Sequence, residues 1–199
     1  KDRLKFLTNT LQSRKQQEVA DIGTVLDDNP RLDVRSLPTP RQPLRVVLDS
    51  RWRTPPHAAL FSASGGVMVV GLPPQDEAAE GLRVALQATG AQCVTAPSTG
   101  VSAQDRIDIA WLLPELARQG VNELHVEAGA TLNGHLIEGD WVDEILVYLA
   151  PKLLGPGRAL AALSPLAALG DAWQGEVRDL CQVGPDVRLI VRPAGRARF

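Results

Sequence analysis

Short apolar runs alternate along the chain with longer stretches in which apolar residues recur every three or four positions. Unbroken runs rich in β-branched residues predict buried strands, and the three-to-four spacing predicts helices. The runs predict strands at 44–50, 58–62, 67–72, 92–96, 121–127 and 142–151. The spacing predicts helices at 76–89, 105–119 and 131–138, and glycine follows the first two directly.

The two ends of the chain have a different pattern from the middle. Residues 1–18 are polar and predict either a surface helix or a frayed start. Residues 173–183 and 187–192 are typical of two strands, and the Gly-Pro between them predicts a hairpin. Pro114 lies inside a predicted helix, so we expect a kink or a fresh helix start there.

Strands and helices alternate up to about residue 150. This order predicts an α/β fold with a mostly parallel sheet and helices on its faces. The C-terminal hairpin predicts an antiparallel edge.

Composition is that of an ordinary globular domain. Of 199 residues, 44% are apolar and 22% are charged, and the net charge is −2. We therefore expect no nucleic-acid partner, and no apolar run is long enough to predict a membrane span. Cys93 and Cys181 have no second ligand at metal-binding spacing, so we expect no metal, reduced thiols and a cytoplasmic protein.

The stretch VEAGATLNGHL places a carboxylate and a glycine turn at the end of a predicted strand. Open α/β sheets bind ligands at that end, and the first turn of a helix binds phosphate. Gly129 and Gly134 therefore predict either a phosphate cradle or a tight strand-to-helix turn. Glu127 predicts either an ion pair or an acceptor for ligand hydroxyl and N–H groups.

The stretch GTVLDDNPRLDVR brings two adjacent carboxylates before a proline. Asp27 and Asp28 predict a capped turn, with metal binding as the weaker alternative.

Five motifs, in this order, resemble the reductase domain of bifunctional riboflavin-biosynthesis deaminase–reductases: GTVLDDNPRLDVR, QPLRVVLDSRWRTP, VEAGATLNGHL, VDEILVYLAPKLLGPG and VGPDVRL. The resemblance implies a dihydrofolate-reductase-like three-layer fold, with a mostly parallel central sheet, helices on both faces and a C-terminal antiparallel hairpin. It implies a homodimer with NADPH as cofactor. It implies reduction of a phosphorylated pyrimidine, 5-amino-6-(5-phosphoribosylamino)uracil, to its ribitylamino form.

The resemblance also implies roles for individual residues. The turn that holds the NADPH phosphate corresponds to Gly129, Ala130, Thr131, Leu132, Asn133, Gly134 and His135. Thr24, Asp28 and Ser50 match positions beside the cofactor, and Leu32, Arg35 and Glu127 match positions that contact substrate. A guanidinium suits the substrate phosphate because it binds two phosphate oxygens at once. The candidate catalytic residues are Glu127 and Asp28, with Asp28 as the proton donor.

The front of the chain departs from the family pattern. A strand of the type KxAxSLDG and the segment after it are absent, and Gln12 stands where the family has arginine. We interpret residues 1–18 as a divergent or truncated segment and 19–199 as the reductase domain, in a fragment or a divergent paralogue. Without that strand the sheet is expected to have an exposed edge or a gap. The alternatives are a non-catalytic, reductase-like protein that binds a nucleotide or oligomerises, and an NADPH reductase of another pyrimidine or pterin.

Overall fold

The computed structural model describes residues 4–5, 16–35, 38–98 and 106–195. Its elements in chain order are β1 (Leu4–Lys5), β2 (Gln16–Asp21), α1 (Ile22–Asp28), β3 (Leu44–Leu48), β4 (Val67–Gly71), α2 (Glu77–Ala88), β5 (Gln92–Thr95), α3 (Ile109–Arg118), β6 (Glu123–Glu127), α4 (Ala130–Glu138), β7 (Val142–Leu149), β8 (Gly175–Val183) and β9 (Asp186–Pro193), with short 3₁₀ helices at Ala59–Phe61 and Leu169–Asp171.

The chain forms two compact units. The parallel-sheet unit contains the described residues between 16 and 128, and the hairpin unit contains residues 4–5 and 129–195. The predicted division at residue 18 stays a prediction. Among the described residues, no helix has both the length and the apolar character that crossing a bilayer requires.

Five parallel strands form the sheet of the parallel-sheet unit, in the order β5-β4-β3-β2-β6. The strands β2, β3, β4 and β5 follow one another across the sheet, with α1 between β2 and β3 and α2 between β4 and β5. The chain then returns through α3 to the opposite edge, where β6 pairs with β2. Because parallel crossovers are right-handed, α1 and α2 cover one face and α3 covers the other. The predicted three-layer arrangement, with a parallel sheet and helices on both faces, is confirmed.

Both faces of the central strands are buried, which explains their unbroken apolar sequences. On the face under α1 and α2, Ala20, Val47 and Val69 pack with the fully buried ring of Trp52. On the opposite face, residues such as Val46 are equally inaccessible to water. β2 pairs directly with β6 along its length, so the expected gap is not found between these two strands.

The strand predicted at 58–62 is wrong, because Ala59–Phe61 is a 3₁₀ helix. Carbonyl oxygens of this loop accept hydrogen bonds from the buried guanidinium of Arg45 instead of from a neighbouring strand. The fresh start expected at Pro114 is also wrong, because α3 is continuous through that residue. At the front of the chain, residues 4–5 and 16–18 belong to strands, and the other residues before 16 lie outside the described part.

The hairpin unit contains a second sheet with the strand order β1-β7-β9-β8. The predicted hairpin is confirmed as the antiparallel pair β8 and β9. It pairs with β7, however, and does not form an edge of the parallel sheet, because all five residues from Ile145 to Leu149 bond in register with β9. A bulge between Val177 and Asp179 shifts the register of β8 by one residue.

Candidate active site

The first turn of α4 differs from those of the other described α-helices. Asp21, Asp76 and Asp108 precede α1, α2 and α3, and each carboxylate accepts a first-turn N–H at 2.7–2.8 Å. Gly129 precedes α4 and offers no capping side chain, and the first turn of α4 contains no acidic residue. This helix start is therefore open to an external acceptor.

Three backbone amides are available at that start. The first hydrogen bond of the helix runs from the Asn133 N–H to the Gly129 carbonyl oxygen, at 3.2 Å. The amides of Ala130, Thr131 and Leu132 precede it, so they have no acceptor within the helix. Together with the positive end of the helix dipole, this arrangement suits a phosphate group.

Gly129 has an ordinary extended backbone, with φ −71° and ψ 171°. Asp21 caps α1 with nearly the same geometry, φ −85° and ψ 162°. The backbone at Gly129 thus accepts any residue, and its missing side chain, not its conformation, leaves the helix start open.

Part of the predicted cofactor segment is used in packing within the hairpin unit. A Cβ atom at Gly134 would overlap the backbone carbonyl of Ala162, which explains this buried glycine. The Ala162 N–H donates to the Ala130 carbonyl oxygen at 2.8 Å, and the Asn133 side-chain amide donates to the Leu160 carbonyl oxygen at 2.9 Å. Thr131 and His135, by contrast, are exposed.

Glu127 is the last residue of β6 and is exposed. Within the described residues of its unit, no basic side chain lies at ion-pair distance, so the ion-pair alternative lacks support. Its charge acts on Glu18, one strand away. The pKa of the Glu18 carboxyl is raised to about 7, first by burial and then by the negative charges of Glu127 and Asp33. Sequence reasoning missed Glu18, although a carboxylate within the run QQEVAD was a visible signal.

The motif after β2 forms α1 and its C-terminal cap. Thr24 lies in the first turn, where its N–H binds Asp21, and Asp28 is the exposed last residue. Asn29 caps the helix in a left-handed conformation, with φ 44°, and its side-chain oxygen accepts from the Ala59 N–H at 2.8 Å. The chain turns here as expected, but Asp27 and Asp28 lie in the last turn of a helix that the sequence pattern did not predict, and Asn29 forms its cap.

The segment after α1 holds a cluster of two arginines around one carboxylate. Arg31 and Arg35 donate to opposite oxygens of Asp33, at 3.1 and 2.7 Å. Burial alone would raise the pKa of Asp33, but the two guanidinium hydrogen bonds outweigh it and lower the pKa. The cluster thus has one net positive charge, and the Arg35 side chain is 66% exposed. Leu32 is buried in the core with φ 50°, so its side chain faces protein.

A buried turn places Ser50 after β3. The fully buried Asp49 carboxylate accepts from the N–H and the hydroxyl of Thr54, at 2.6 and 2.8 Å. Trp52 adopts φ 59°, and its indole N–H donates to the Leu72 carbonyl oxygen at 2.8 Å. Sequence reasoning missed Asp49, which lies inside the predicted strand 44–50 and directly follows the observed strand β3.

The structure brings three of the predicted residues to one edge of the parallel sheet. Thr24, Ser50 and Glu127 follow or end β2, β3 and β6, which are neighbours in the sheet. The register places these strand ends at the same level. Gly129 to His135 belong to the hairpin unit and follow Glu127 almost directly along the chain.

A parallel sheet with helices on both faces defines a domain of the α/β class, and the carboxyl ends of the strands, where these polar residues gather, are the edge at which open sheets of this class bind ligands. The chain belongs to the RibD C-terminal domain family, whose model matches residues 3–189.

Named relatives agree with this family. The riboflavin biosynthesis protein RibD of Haemophilus influenzae is 35% identical over 189 residues, which cover 86% of this chain and 46% of that protein. The 5-amino-6-(5-phosphoribosylamino)uracil reductase of Buchnera aphidicola is 27% identical over 187 residues, covering 86% of this chain and 83% of that one. The chain thus spans about half the length of the first relative.

A solved structure of Acinetobacter baumannii RibD has the same fold. It superposes with a TM-score of 0.70 at 28% identity, covering 89% of this chain and 47% of that one.

Proposed function

We propose that this chain reduces 5-amino-6-(5-phosphoribosylamino)uracil to its ribitylamino form, with NADPH as hydride donor. The observation that carries the proposal is the uncapped start of α4, two residues after the exposed carboxylate of Glu127, in a member of this family. The named activity of the Buchnera aphidicola relative supports the substrate.

The residues at the start of α4 fit a cofactor phosphate. The amides of Ala130, Thr131 and Leu132 would hold it, and the exposed Thr131 hydroxyl and His135 ring lie on the same short helix. Bound NADPH supplies the hydride. The family resemblance assigns Thr24 and Ser50, at the carboxyl edge of the parallel sheet, to the cofactor as well.

The substrate phosphate would bind the arginine cluster. Asp33 holds one nitrogen of Arg35 at 2.7 Å, which orients the guanidinium, and within the described residues no other acceptor is bound to its remaining N–H groups, which a phosphate could use. The low pKa of Asp33 keeps this anchor ionised. Leu32 would contribute its backbone, because its side chain is buried.

Two carboxylates remain for the reacting end of the substrate. Glu127 would accept hydrogen bonds from the pyrimidine or ribityl side, since no cation near it within the described unit competes. Asp28, exposed at the end of α1, would donate the proton that opens the ribosylamine.

We also propose that the protein is a homodimer that pairs through the sheet of the hairpin unit. The strand register gives this sheet an apolar face, formed by Ile145, Val147, Leu149, Val177, Leu180, Val187, Leu189 and Val191. Three of these residues are more than half exposed: Leu149 at 53%, Val177 at 57% and Leu180 at 63%.

The opposite face of the same sheet carries ion pairs among apolar residues such as Leu146 and Ile190. Arg188 pairs with Asp179 at 2.7 Å, and Arg192 pairs with Glu144 at 2.9 Å. Where β7, β9 and β8 pair, the first face lacks charged residues and carries one polar side chain, Gln182, and an exposed apolar patch of this kind is typical of an interaction surface. A second copy suits it, because a twofold dimer buries the same patch from both partners. We assign the dimer to the cytoplasm, where its two free cysteines would stay reduced.

The proposal is tested by giving α4 the cap that the other helices have. Gly129→Asp fits the observed backbone and should bind the open amides itself, so stability should hold or rise by roughly a few tenths of a kcal/mol. Its carboxylate should repel a phosphate, and NADPH should no longer raise the melting temperature. Wild type should gain about 2.7 kcal/mol at hundredfold excess of NADPH over Kd, and less with NADH at equal concentration.

Gly129→Ala is the matched control, because it adds a side chain without a charge and should retain NADPH binding. Substrate-dependent NADPH oxidation should be retained in the wild type and in Gly129→Ala and lost in Gly129→Asp. Normal NADPH affinity in Gly129→Asp would show that the cofactor does not bind at this helix start. NADPH binding without turnover of the uracil substrate would contradict the proposed reaction and leave the cofactor site standing.

A further inference from the structure

A cleft of about 420 Å³ opens at the amino ends of the parallel strands, at the edge of the sheet opposite to Thr24, Ser50 and Glu127. This size lies within the range of small-molecule pockets, roughly 300–1,000 Å³. Its lining comes from the starts of β2 and β3 and the loops before β3 and β4: Gln17, Pro40, Arg41, Gln42, Leu44, Ser64, Gly65 and Gly66. These lining residues include one cation and no carboxylate.

The loop before β4 is organised by Arg45, whose side chain is fully buried. Its guanidinium donates to the carbonyl oxygens of Ala63, Ser64 and Gly65, at 3.1, 2.9 and 2.6 Å. In a trans peptide the N–H points opposite to the C=O. The next three amides, those of Ser64, Gly65 and Gly66, therefore point away from Arg45, and all three residues line the cleft.

These amides are the kind of anion site that consecutive backbone N–H groups form in a turn. Among the described residues, no hydrogen-bond acceptor is bound to them. Gly65 has φ +98°, and a Cβ atom there would lie 2.8 Å from the Cβ of Gln42, so the position requires glycine. Gln42 is itself fixed by two hydrogen bonds to the backbone of Val34, both 2.8 Å long. The wall of the cleft is thus preformed.

Gln17 supplies an independent observation at the same place. Its side chain lines the cleft and the residue is only 7% exposed, yet its Oε1 atom has no hydrogen-bond partner among the described residues. A buried acceptor without a partner is unfavourable, and a ligand donor would satisfy it. Rotation about the last side-chain bond exchanges the oxygen and nitrogen, so the carboxamide can present either to a ligand.

We propose that this cleft is a second ligand site, which binds a small phosphate monoester that carries a hydroxyl group. The three loop amides and the Arg41 guanidinium bind the phosphate, and the Gln17 carboxamide binds the hydroxyl. The absence of a carboxylate in the lining removes the repulsion that would oppose a dianion. The residues of this site have no role in the proposed reaction, so a failure of either proposal leaves the other untouched.

The test is a titration of the isotope-labelled full chain, followed by backbone amide NMR, with three probes: glycerol 3-phosphate, inorganic phosphate and glycerol. Glycerol 3-phosphate should shift the amide resonances of Ser64, Gly65 and Gly66, inorganic phosphate should do so more weakly, and glycerol should not. Arg41→Gln should weaken glycerol 3-phosphate about tenfold, the scale of one charged hydrogen bond. Arg118→Gln, which removes an exposed arginine on α3, should leave the affinity unchanged.

Gln17→Met keeps the volume of the side chain and removes its polar atoms. It should bring glycerol 3-phosphate down to the affinity of inorganic phosphate. Equal binding of the two probes by wild type would overturn the hydroxyl part of the proposal. Resonance shifts confined to the first turn of α4, or no shift at the three loop amides, would overturn the site itself.

Discussion

Glu18 has a raised pKa of about 7, and the charged residues that affect it lie on the two neighbouring strands, β3 and β6, and in the segment after α1. Burial is the largest cause, followed by the charges of Glu127 and Asp33, whereas Arg45 on the neighbouring strand opposes the rise. The register pairs Glu18 with Arg45 on one side and His125 on the other, which places all three on one face of the sheet. The carboxyl group is therefore protonated more readily in the folded protein than in the unfolded chain.

This pKa makes the free energy of unfolding depend on pH. The raised pKa contributes stability that is fully present below pH 4.5, the ordinary value, and is lost as pH rises to about 7. Because solvent partly screens the group, we expect a loss of about 1–3 kcal/mol. Glu18→Gln should remove this slope in urea titrations between about pH 5 and pH 8.

Glu77→Gln, on the exposed first turn of α2, is the matched control and should retain the wild-type slope. An unchanged slope in Glu18→Gln would mean that Glu18 ionises normally.

Single residues were predictable where a local pattern defined them. The exposed carboxylate of Glu127 and the helix start at Gly129 follow from a strand and a helix that are adjacent in sequence. The burial of Leu32 and the contact of Gly134 with Ala162 do not, because each depends on a partner distant along the chain. The anchoring role of Asp33 was likewise invisible, since it requires both arginines to fold back onto one carboxylate.

Two glycines inside helices show that packing against a neighbouring segment can outweigh the low helix propensity of glycine. Gly81, in α2, has no neighbour within 4 Å of an added Cβ atom, whereas Gly134, in α4, meets the backbone of Ala162. Gly81→Ala should stabilise the protein by about 0.5–1 kcal/mol, because alanine is the better helix former. Gly134→Ala should destabilise it by about 1–3 kcal/mol, because backbone cannot move aside as a side chain can.

Urea denaturation measures the free energy of unfolding of the wild type and the two variants, and the comparison requires that this free energy falls equally steeply with urea concentration in all three. Stabilisation by both substitutions would show that the 160–164 segment is not packed against α4 in solution.

Most elements were predictable because their apolar spacing reflects burial directly. β3, β4 and α2 lie where the pattern placed them, and the aspartate before α2 caps it as such residues usually do. The 3₁₀ helix Ala59–Phe61 was not predictable, because its short apolar run is compatible with either element. The deciding influence is Arg45, a residue on another strand that binds the carbonyl oxygens of the loop.

At the scale of the whole molecule, the two faces of the second sheet test the proposed homodimer. Leu180 lies on the apolar face and Val183 on the opposite face, and both are exposed residues of β8, at 63% and 43%. Leu180→Glu would bury a charge at the interface and should produce a monomer. Val183→Glu carries the same change on the other face and should remain a dimer.

Light scattering during gel filtration, at several concentrations, measures the mass of each variant. A monomeric wild type, or equal masses for the two variants, would contradict a dimer through this face.

The order of elements predicted the parallel sheet, because strand–helix alternation leaves few other arrangements. It did not predict that β7 would leave that sheet and join β8 and β9, because pairing partners of a strand depend on contacts beyond its own pattern. The resemblance to a known family supplied the reaction and the site residues, which periodicity and composition do not contain.

The bulge in β8 makes the number of residues in this strand matter as much as their identity. Side chains alternate between faces like a wave of period two, and the extra residue at Arg178 resets its phase, so that Val177 and Leu180 share one face. Deleting that one residue would leave a regular strand with the same pairing, in which Val177 and Leu180 still share the apolar side and Glu176 stays on the other. Deleting a residue from the regular part of the strand after the bulge would instead exchange the two faces of every residue before the deletion.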